Sequence, residues 1–599
     1  MLRFLMPLWL ALPILVLGQT NRYHISFENA VHHEAQITLR FGALDQDTLE
    51  VRMPRSSPGR YALHEFAKNV YRFKATDAQG APLPIFRKDP YSWFIYGHNG
   101  EVNIAYTLFA DRADGTYSQI DESHAHLNIP ATFMYAPSLK DRPIEITFAL
   151  REDLNWKVAT QLPLLSGSTY TAPNLAYFMD SPTEISDFGL REFTLDGQKI
   201  RLALHHHGTE AELDTYFEKV KKVVLAQKEV YGELPKFDYG SYTFLACYLP
   251  HASGDGMEHR NSTILTSTRS LAQGGMERNI GTVSHEFFHA WNVERLRPKS
   301  LEPFDFSKAN MSGALWFAEG FTSYYTNLIL CRAGLIAPAE YVQGLNRTFN
   351  YVWNSPGRQF FSPVEMSHQA PFVDAATSVD PVNRGNTFIS YYSYGSMLGL
   401  ALDLALRREQ LTLDGYMKLL WEAYGRNETP YTLNQLQEKL EAYAGAALAA
   451  HFFENYVHQS GMPPYADLFQ SVGLFLAQPE QDAYFGANAQ MDGEGKAVIK
   501  GYPKMGGPAY KAGLTRGDQL LTVNGSSFPN TGSFADFMGT FAMGDALDIR
   551  FVRHGKEQGT KVVLTADPAY EIGLMEQTET APSREQLKRR AAWLGSSAP

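Results

Sequence analysis

Between about residue 21 and residue 194, apolar and polar residues alternate with period two, as in HISFEN, EAQITLRF, TLEVRMP, EVNIAYTLFA and IEITFAL. This period turns alternate side chains to one face and predicts short strands, here separated by Pro, Gly, Asp and Asn. No helix-length apolar stripe interrupts them, so a β domain of sandwich type is expected. Near residue 199, KIRLALHHHG adds one more strand, and the period then changes. AELDTYFEKVKKVVLAQKEVYGEL repeats its apolar residues at helical spacing, and after the strand YGSYTFLACYLP the chain reads as mainly helical to about residue 470. ALWFAEGFTSYYTNLIL, GSMLGLALDLALRREQ, DGYMKLLWEAYG and TLNQLQEKLEAYAG are among the predicted helices. Strands return from about residue 472 in KAVIKGYP, QLLTVNG, LDIRFVRHG and TKVVLTADP. The polar stretch from Tyr570 shows no core pattern and reads as a loose tail. The expected organisation is multidomain α+β: a leader over 1–18, an N-terminal β domain over 19–195, a mainly helical domain over 196–470, a small β-rich domain over 471–568 and a tail over 569–599.

Composition narrows this picture without redirecting it. A chain of 599 residues exceeds a single hydrophobic core, and 44% hydrophobic with 20% charged residues describes a folded globular protein. Acidic residues outnumber basic ones, 64 to 53, and no basic tract stands out, so neither nucleic acid nor an anionic membrane surface is expected as a partner. The opening MLRFLMPLWLALPILVLGQT combines Arg3 with an apolar run over residues 4–17 and the small Gly18. That run has the length of a signal-peptide core and falls short of the roughly 20 residues that span a bilayer. Export to a periplasm or beyond is therefore expected, with no membrane association afterwards. Cys247 and Cys331 are the only cysteines, and two buried free thiols are expected rather than a disulfide framework.

Chemistry concentrates in GTVSHEFFHAWN. His285 and His289 stand four apart, so on a helix both imidazoles project from one face and can reach one ion. Glu286, one position on, is placed to act as general base towards a metal-activated water, the His-Glu-x-x-His arrangement. Two histidines need a third protein ligand, and ALWFAEGFTSYY offers Glu319, a carboxylate among Trp316, Phe317, Phe321 and Tyr325. Buried alone it would be costly; binding a dication removes that cost.

HEFFHAWN followed by WFAEGFTSYY resembles the gluzincin metallopeptidases, and the gap between second histidine and glutamate is similar to that of the glycyl aminopeptidase family of bacterial metallopeptidases. The resemblance implies a β-rich N-terminal domain, a thermolysin-like catalytic domain with one Zn²⁺ on His285, His289 and Glu319, and a C-terminal PDZ domain. GDGMEHRNST is similar to the GAMEN element of aminopeptidase N, which implies that Gly256 and Met257 lie along the substrate and that Glu258 holds its free α-amine. His259 stands where that element has asparagine. ISYYSYGSMLGL resembles the YEKG segment of the same enzyme, which implies a tyrosine that stabilises the oxyanion: Tyr392 by direct matching, with Tyr391 and Tyr394 as neighbours in contention. GGPAYKAGLTRGDQLLTVNG is similar to a PDZ segment through Ala512, Gly513, Leu514, Gly517, Asp518 and Asn524, which implies capture of peptide C-termini, with the carboxylate loop expected near Tyr484, Phe485, Gly486 and Ala487.

The combined expectation is an exported zinc aminopeptidase acting on peptides with a free N-terminus, with small first residues such as Gly or Ala implied by the resemblance. Two rivals stand beside it: a thermolysin-type zinc endopeptidase, and a PDZ peptide-binding protein on an inactive peptidase scaffold.

Overall fold

The structure is a computed structural model, and residues 19–373, 380–478, 482–492, 494–529 and 531–595 are described. The predicted leader over 1–18 lies outside the described residues. The chain divides into two compact units. One comprises residues up to 57, 65–113 and 117–187; the other comprises 58–64, 114–116 and everything from 188 onward.

The first unit is β-rich, as the period-two pattern predicts. Asn21–Ser26 lies between Glu34–Phe41, antiparallel, and Ile144–Ala149, parallel, at the centre of a seven-stranded sheet. Along Glu34–Phe41 the alternation is strict: Ala35, Ile37, Leu39 and Phe41 are buried while Gln36, Thr38 and Arg40 face outward. Burying one side of each strand fixes register, because a one-residue slip would turn the apolar set to water.

The second unit carries the catalytic candidates. A five-stranded sheet runs in the order Gly189–Leu195, Gln198–His206, Ser241–Tyr248, Ser262–Ser267, Asp255–His259. Its three central strands are parallel, and Asp255–His259 returns antiparallel along one edge. The GMEH stretch is therefore part of an edge strand. Glu210–Tyr231 links the second and third of these strands in sequence. A Thr209–Glu212 capping box starts that helix, and Gly232 ends it at a positive φ of 84°.

Beyond the sheet, three helices build the site: the histidine helix Ile280–Phe288, the glutamate helix Leu315–Arg332 and the tyrosine helix Tyr391–Arg408. The last two meet through glycines. A Cβ on Gly395 would come within 1.8 Å of the Trp316 carbonyl oxygen, and one on Gly320 within 2.4 Å of the Gly395 Cα. Only hydrogens at these positions allow the backbones so close. The glutamate helix is buried over most of its surface from Leu315 to Cys331, with Asn327 exposed, as befits a helix packed on several sides.

The C-terminal β-rich module has its own core of Phe485, Leu520, Phe528, Phe534, Ile549 and Phe551. Its strands include Ala497–Ile499, Gln519–Val523, Ala546–Arg553 and Lys556–Val563. The buried Asn386 side chain ties it to the helical region, donating to the Pro503 carbonyl at 3.0 Å and accepting from the Met505 N–H at 2.8 Å. The residues beyond Tyr570 depart from the expected loose tail. Glu571–Leu574 pairs with Leu474–Ala477, and the helix Arg584–Leu594 buries Trp593 and Leu594 in the main core. Cys247 and Cys331 are both buried and are not joined in a disulfide. Among the described residues no helix is long and apolar enough to cross a membrane.

Candidate metal centre and active site

The histidine helix ends at Phe288, but His289 keeps right-handed helical backbone, so the four-residue spacing holds across the helix end. The two Nε2 atoms come to 3.1 Å of each other. Glu319, on the first turns of the glutamate helix, brings its Oε2 to 3.2 Å from His289 Nε2 and 3.7 Å from His285 Nε2. Three residues from two separate helices therefore converge on one point.

Their outward atoms show what the inward ones do. His289 Nδ1 lies 2.6 Å from the Asn292 carbonyl oxygen, which can only accept, so in the neutral imidazole Nδ1 carries the hydrogen and Nε2 a lone pair. Thr326 donates its hydroxyl hydrogen to the Thr322 carbonyl at 2.9 Å, which leaves its oxygen to accept from His285 Nδ1 at 3.1 Å. The His285 Nε2 lone pair then also points inward. Asn292 itself is buried and donates to the Ala318 carbonyl on the glutamate helix at 3.1 Å, tying the two elements together. The buried Glu319 Oε2, facing both lone pairs, has no hydrogen-bond partner. Two lone pairs and an anionic oxygen aimed at one another repel unless a cation sits among them, and two imidazoles with one carboxylate are a donor set suited to a divalent ion.

Further carboxylates surround this triad. Glu258 and Glu286 each place an oxygen within 4.8 Å of a His289 ring nitrogen and of each other. Burial raises both carboxyls above the ordinary range, Glu286 strongly. For His289, burial works against the charged form, but the Glu319 and Glu258 carboxylates outweigh it and, without an ion, raise the imidazole to about 10, so that a proton would then stand on Nε2 where a bound ion would otherwise take the lone pair. Burial would likewise raise Glu319, yet the histidines beside it hold it well below the carboxylate range. The cluster as a whole attracts positive charge.

Glu286 reaches the backbone of the edge strand: a Cβ on Gly256 would lie 2.1 Å from its Oε1. A pocket of about 240 Å³ opens here, lined by Tyr61, Asp255, Gly256, His285, Glu286, Tyr391 and Tyr392, with Gly59 and Arg60 at its wall. Of the three tyrosines in contention, Tyr392 is partly exposed to the pocket, with its ring 5.8 Å from that of His285. Tyr391 stacks on Tyr392 and also lines it. Tyr394 is fully buried and packs edge-on against Trp353, outside the pocket. Met257 is buried, its Sδ close beside Gly59.

Nothing in the hydrophobic pattern marks residues 58–61 as part of the site. Tyr61, buried, donates its hydroxyl hydrogen to Glu319 Oε1 at 2.6 Å. Burial and the neighbouring carboxylates keep that phenol protonated, well above its usual range. Arg60 pairs with Asp255 and donates to the Thr116 hydroxyl at 2.6 Å.

Comparisons with known proteins match peptidase families over two parts of the chain. The family profile of the peptidase M61 N-terminal domain matches residues 22–187, and that of M61 glycyl aminopeptidase matches residues 278–398, which hold both histidines, Glu286, Glu319 and Tyr392. The chain is a metallopeptidase, similar over these two segments to the M61 peptidases. Its fold is shared with an aminopeptidase N family protein from Idiomarina loihiensis, at 24% identity and a TM-score of 0.83, over 96% of this chain and 100% of the other. The metallopeptidase is more distantly similar to an M1 zinc metallopeptidase mutant of Deinococcus radiodurans bound to a Tyr-Ser-Ala substrate. There the identity is 12% and the TM-score 0.44, over 75% of this chain and 95% of the other. No curated protein matches the chain.

Proposed function

We propose that the protein is a zinc-dependent aminopeptidase. His285, His289 and Glu319 would hold one Zn²⁺, which supplies a Lewis acid and an acidified water at neutral pH. Glu286 takes a proton from the attacking water and passes it to the leaving amine; its raised affinity for protons suits that exchange. The Tyr392 hydroxyl donates to the carbonyl oxygen as charge develops there. Gly256 and Met257 offer the edge strand to the substrate backbone.

The observation that carries the exopeptidase reading is Glu258. It is a buried carboxylate on the edge strand, beside Glu286 but outside the three-ligand set, and a fixed anion there rewards an ammonium group. A peptide with a free N-terminus should be cleaved about 10- to 100-fold faster than its N-acetyl counterpart, the ratio expected from one charge-assisted pair. Equal rates would favour an endopeptidase; no chelator-sensitive hydrolysis at all would leave a binding protein. A preference for Gly or Ala at the first position rests on the family likeness and is read from a panel of aminoacyl-arylamides. Export is proposed from the leader-like residues 1–18. Capture of peptide C-termini by the C-terminal module is proposed from its PDZ-like segment around Gly513 to Asn524.

A further inference from the structure

We propose that Tyr61 is a positioning residue for the metal centre, fixing which oxygen of Glu319 faces the ion; this rests on the reading of His285, His289 and Glu319 as its ligands. A carboxylate has two equivalent oxygens and a freely turning terminal bond, so on its own it offers either one to the histidine pair. The Tyr61 hydroxyl occupies Oε1 at 2.6 Å and leaves Oε2 as the oxygen facing both Nε2 lone pairs. Each candidate ligand then has its outer atom tied by one partner: His289 by the Asn292 carbonyl, His285 by the Thr326 hydroxyl, Glu319 by Tyr61.

The first tie comes from the turn that follows the histidine helix and the second from the glutamate helix. The third comes from 258 positions upstream, on a segment held in place by several contacts of its own. Gly59 adopts φ of 75°, and a Cβ there would meet the Met257 sulfur at 2.1 Å and a Glu258 oxygen at 3.0 Å. Arg60 holds Asp255 and Thr116, and Asp255 in turn accepts from the Gly115 N–H at 3.0 Å. The same short run therefore anchors the strand bearing Glu258 through Arg60 and orients the third ligand through Tyr61. A ring of tyrosine size also fills the space against Tyr391, whose ring centre lies 6.1 Å away.

Tyr61→Phe keeps the ring and removes only the donor. Zn²⁺ affinity, measured on the full chain by chelator competition, is expected to fall about 10- to 100-fold, the cost typical of losing an outer partner of a metal ligand. The melting temperature of the metal-free protein should change little by comparison. In a Glu319→Ala background, where two imidazoles still bind Zn²⁺ weakly, adding Tyr61→Phe should change affinity no further, because the residue acts through Glu319. A Co²⁺-loaded Tyr61→Phe protein should show an altered visible absorption spectrum. Wild-type affinity with an unaltered Co²⁺ spectrum in Tyr61→Phe overturns the proposal, as does an equal loss with and without Glu319. If Tyr61→Phe does not melt cooperatively, Tyr61→Leu is read by the same measurements. Failure of the wild-type chain to bind Zn²⁺, or binding indifferent to His285→Ala, refutes the ligand assignment instead.

Discussion

At the scale of single residues, the site separates holding an ion from moving a proton. Glu286 serves the second purpose, for it stands beside His289 but contributes no atom to the three-ligand cluster. Glu286→Gln is accordingly expected to lower kcat by about 10²- to 10⁴-fold, the range for a lost general base, while metal content by atomic absorption stays at the wild-type level. Gly256 gives a subtler handle on the same carboxylate. Gly256→Ala places a methyl 2.1 Å from the present position of Glu286 Oε1, so the carboxylate must swing away. Activity should fall at least about tenfold with metal retained, since displacements of about 1 Å at a reacting group can cost 10²-fold. Both histidines, Glu286 and Glu319 were legible because local rules mark them: helical spacing in one case, an anion stranded among aromatics in the other. Arg60 and Tyr61 carry no such mark. PGRY is an ordinary turn-like stretch, and its function arises only when folding brings it to Asp255 and Glu319, 195 and 258 positions away in sequence.

At the scale of elements, the long helices were legible because their apolar periodicity persists over many turns. The edge strand Asp255–His259 was not: five residues with Met257 as the single large apolar side chain give no alternation, and pairing along one side alone supplies its order. What the sequence could not display at all is how closely the glutamate and tyrosine helices pack. Gly395→Ala drives a methyl to 1.8 Å from the Trp316 carbonyl oxygen, a backbone atom that cannot turn aside. The helices must separate, which moves Glu319 relative to Tyr392. A loss of about 1–3 kcal/mol in urea unfolding is expected, the usual cost of overpacking, together with a fall in kcat. Wild-type stability would show that the contact relaxes without strain.

At the scale of the whole molecule, the C-terminal end proves to be structural because its charged helix hides a short apolar edge. REQLKRRAAWL is mostly basic and polar, so its pattern suggests solvent, yet Ala591, Trp593 and Leu594 turn inward together. Trp593 is fully buried and donates from Nε1 to the Tyr324 oxygen at 2.9 Å. Tyr324 donates onward to Asp403 at 2.6 Å, and Asp403 accepts from the Leu413 N–H at 3.0 Å and pairs with Arg407 at 3.0 Å. This chain joins the last helix to the glutamate helix, the tyrosine helix and the start of the next. Trp593→Ala removes a large buried ring and should cost about 3–5 kcal/mol in urea unfolding. Trp593→Phe keeps most of the buried area and loses the donor alone, for which about 1–3 kcal/mol is expected. A dispensable tail would give a change within about 0.5 kcal/mol for both variants. The order Ala worse than Phe worse than wild type, with hydrolysis retained by the folded fraction at low temperature, is the outcome that places the last helix in the core and outside the chemistry.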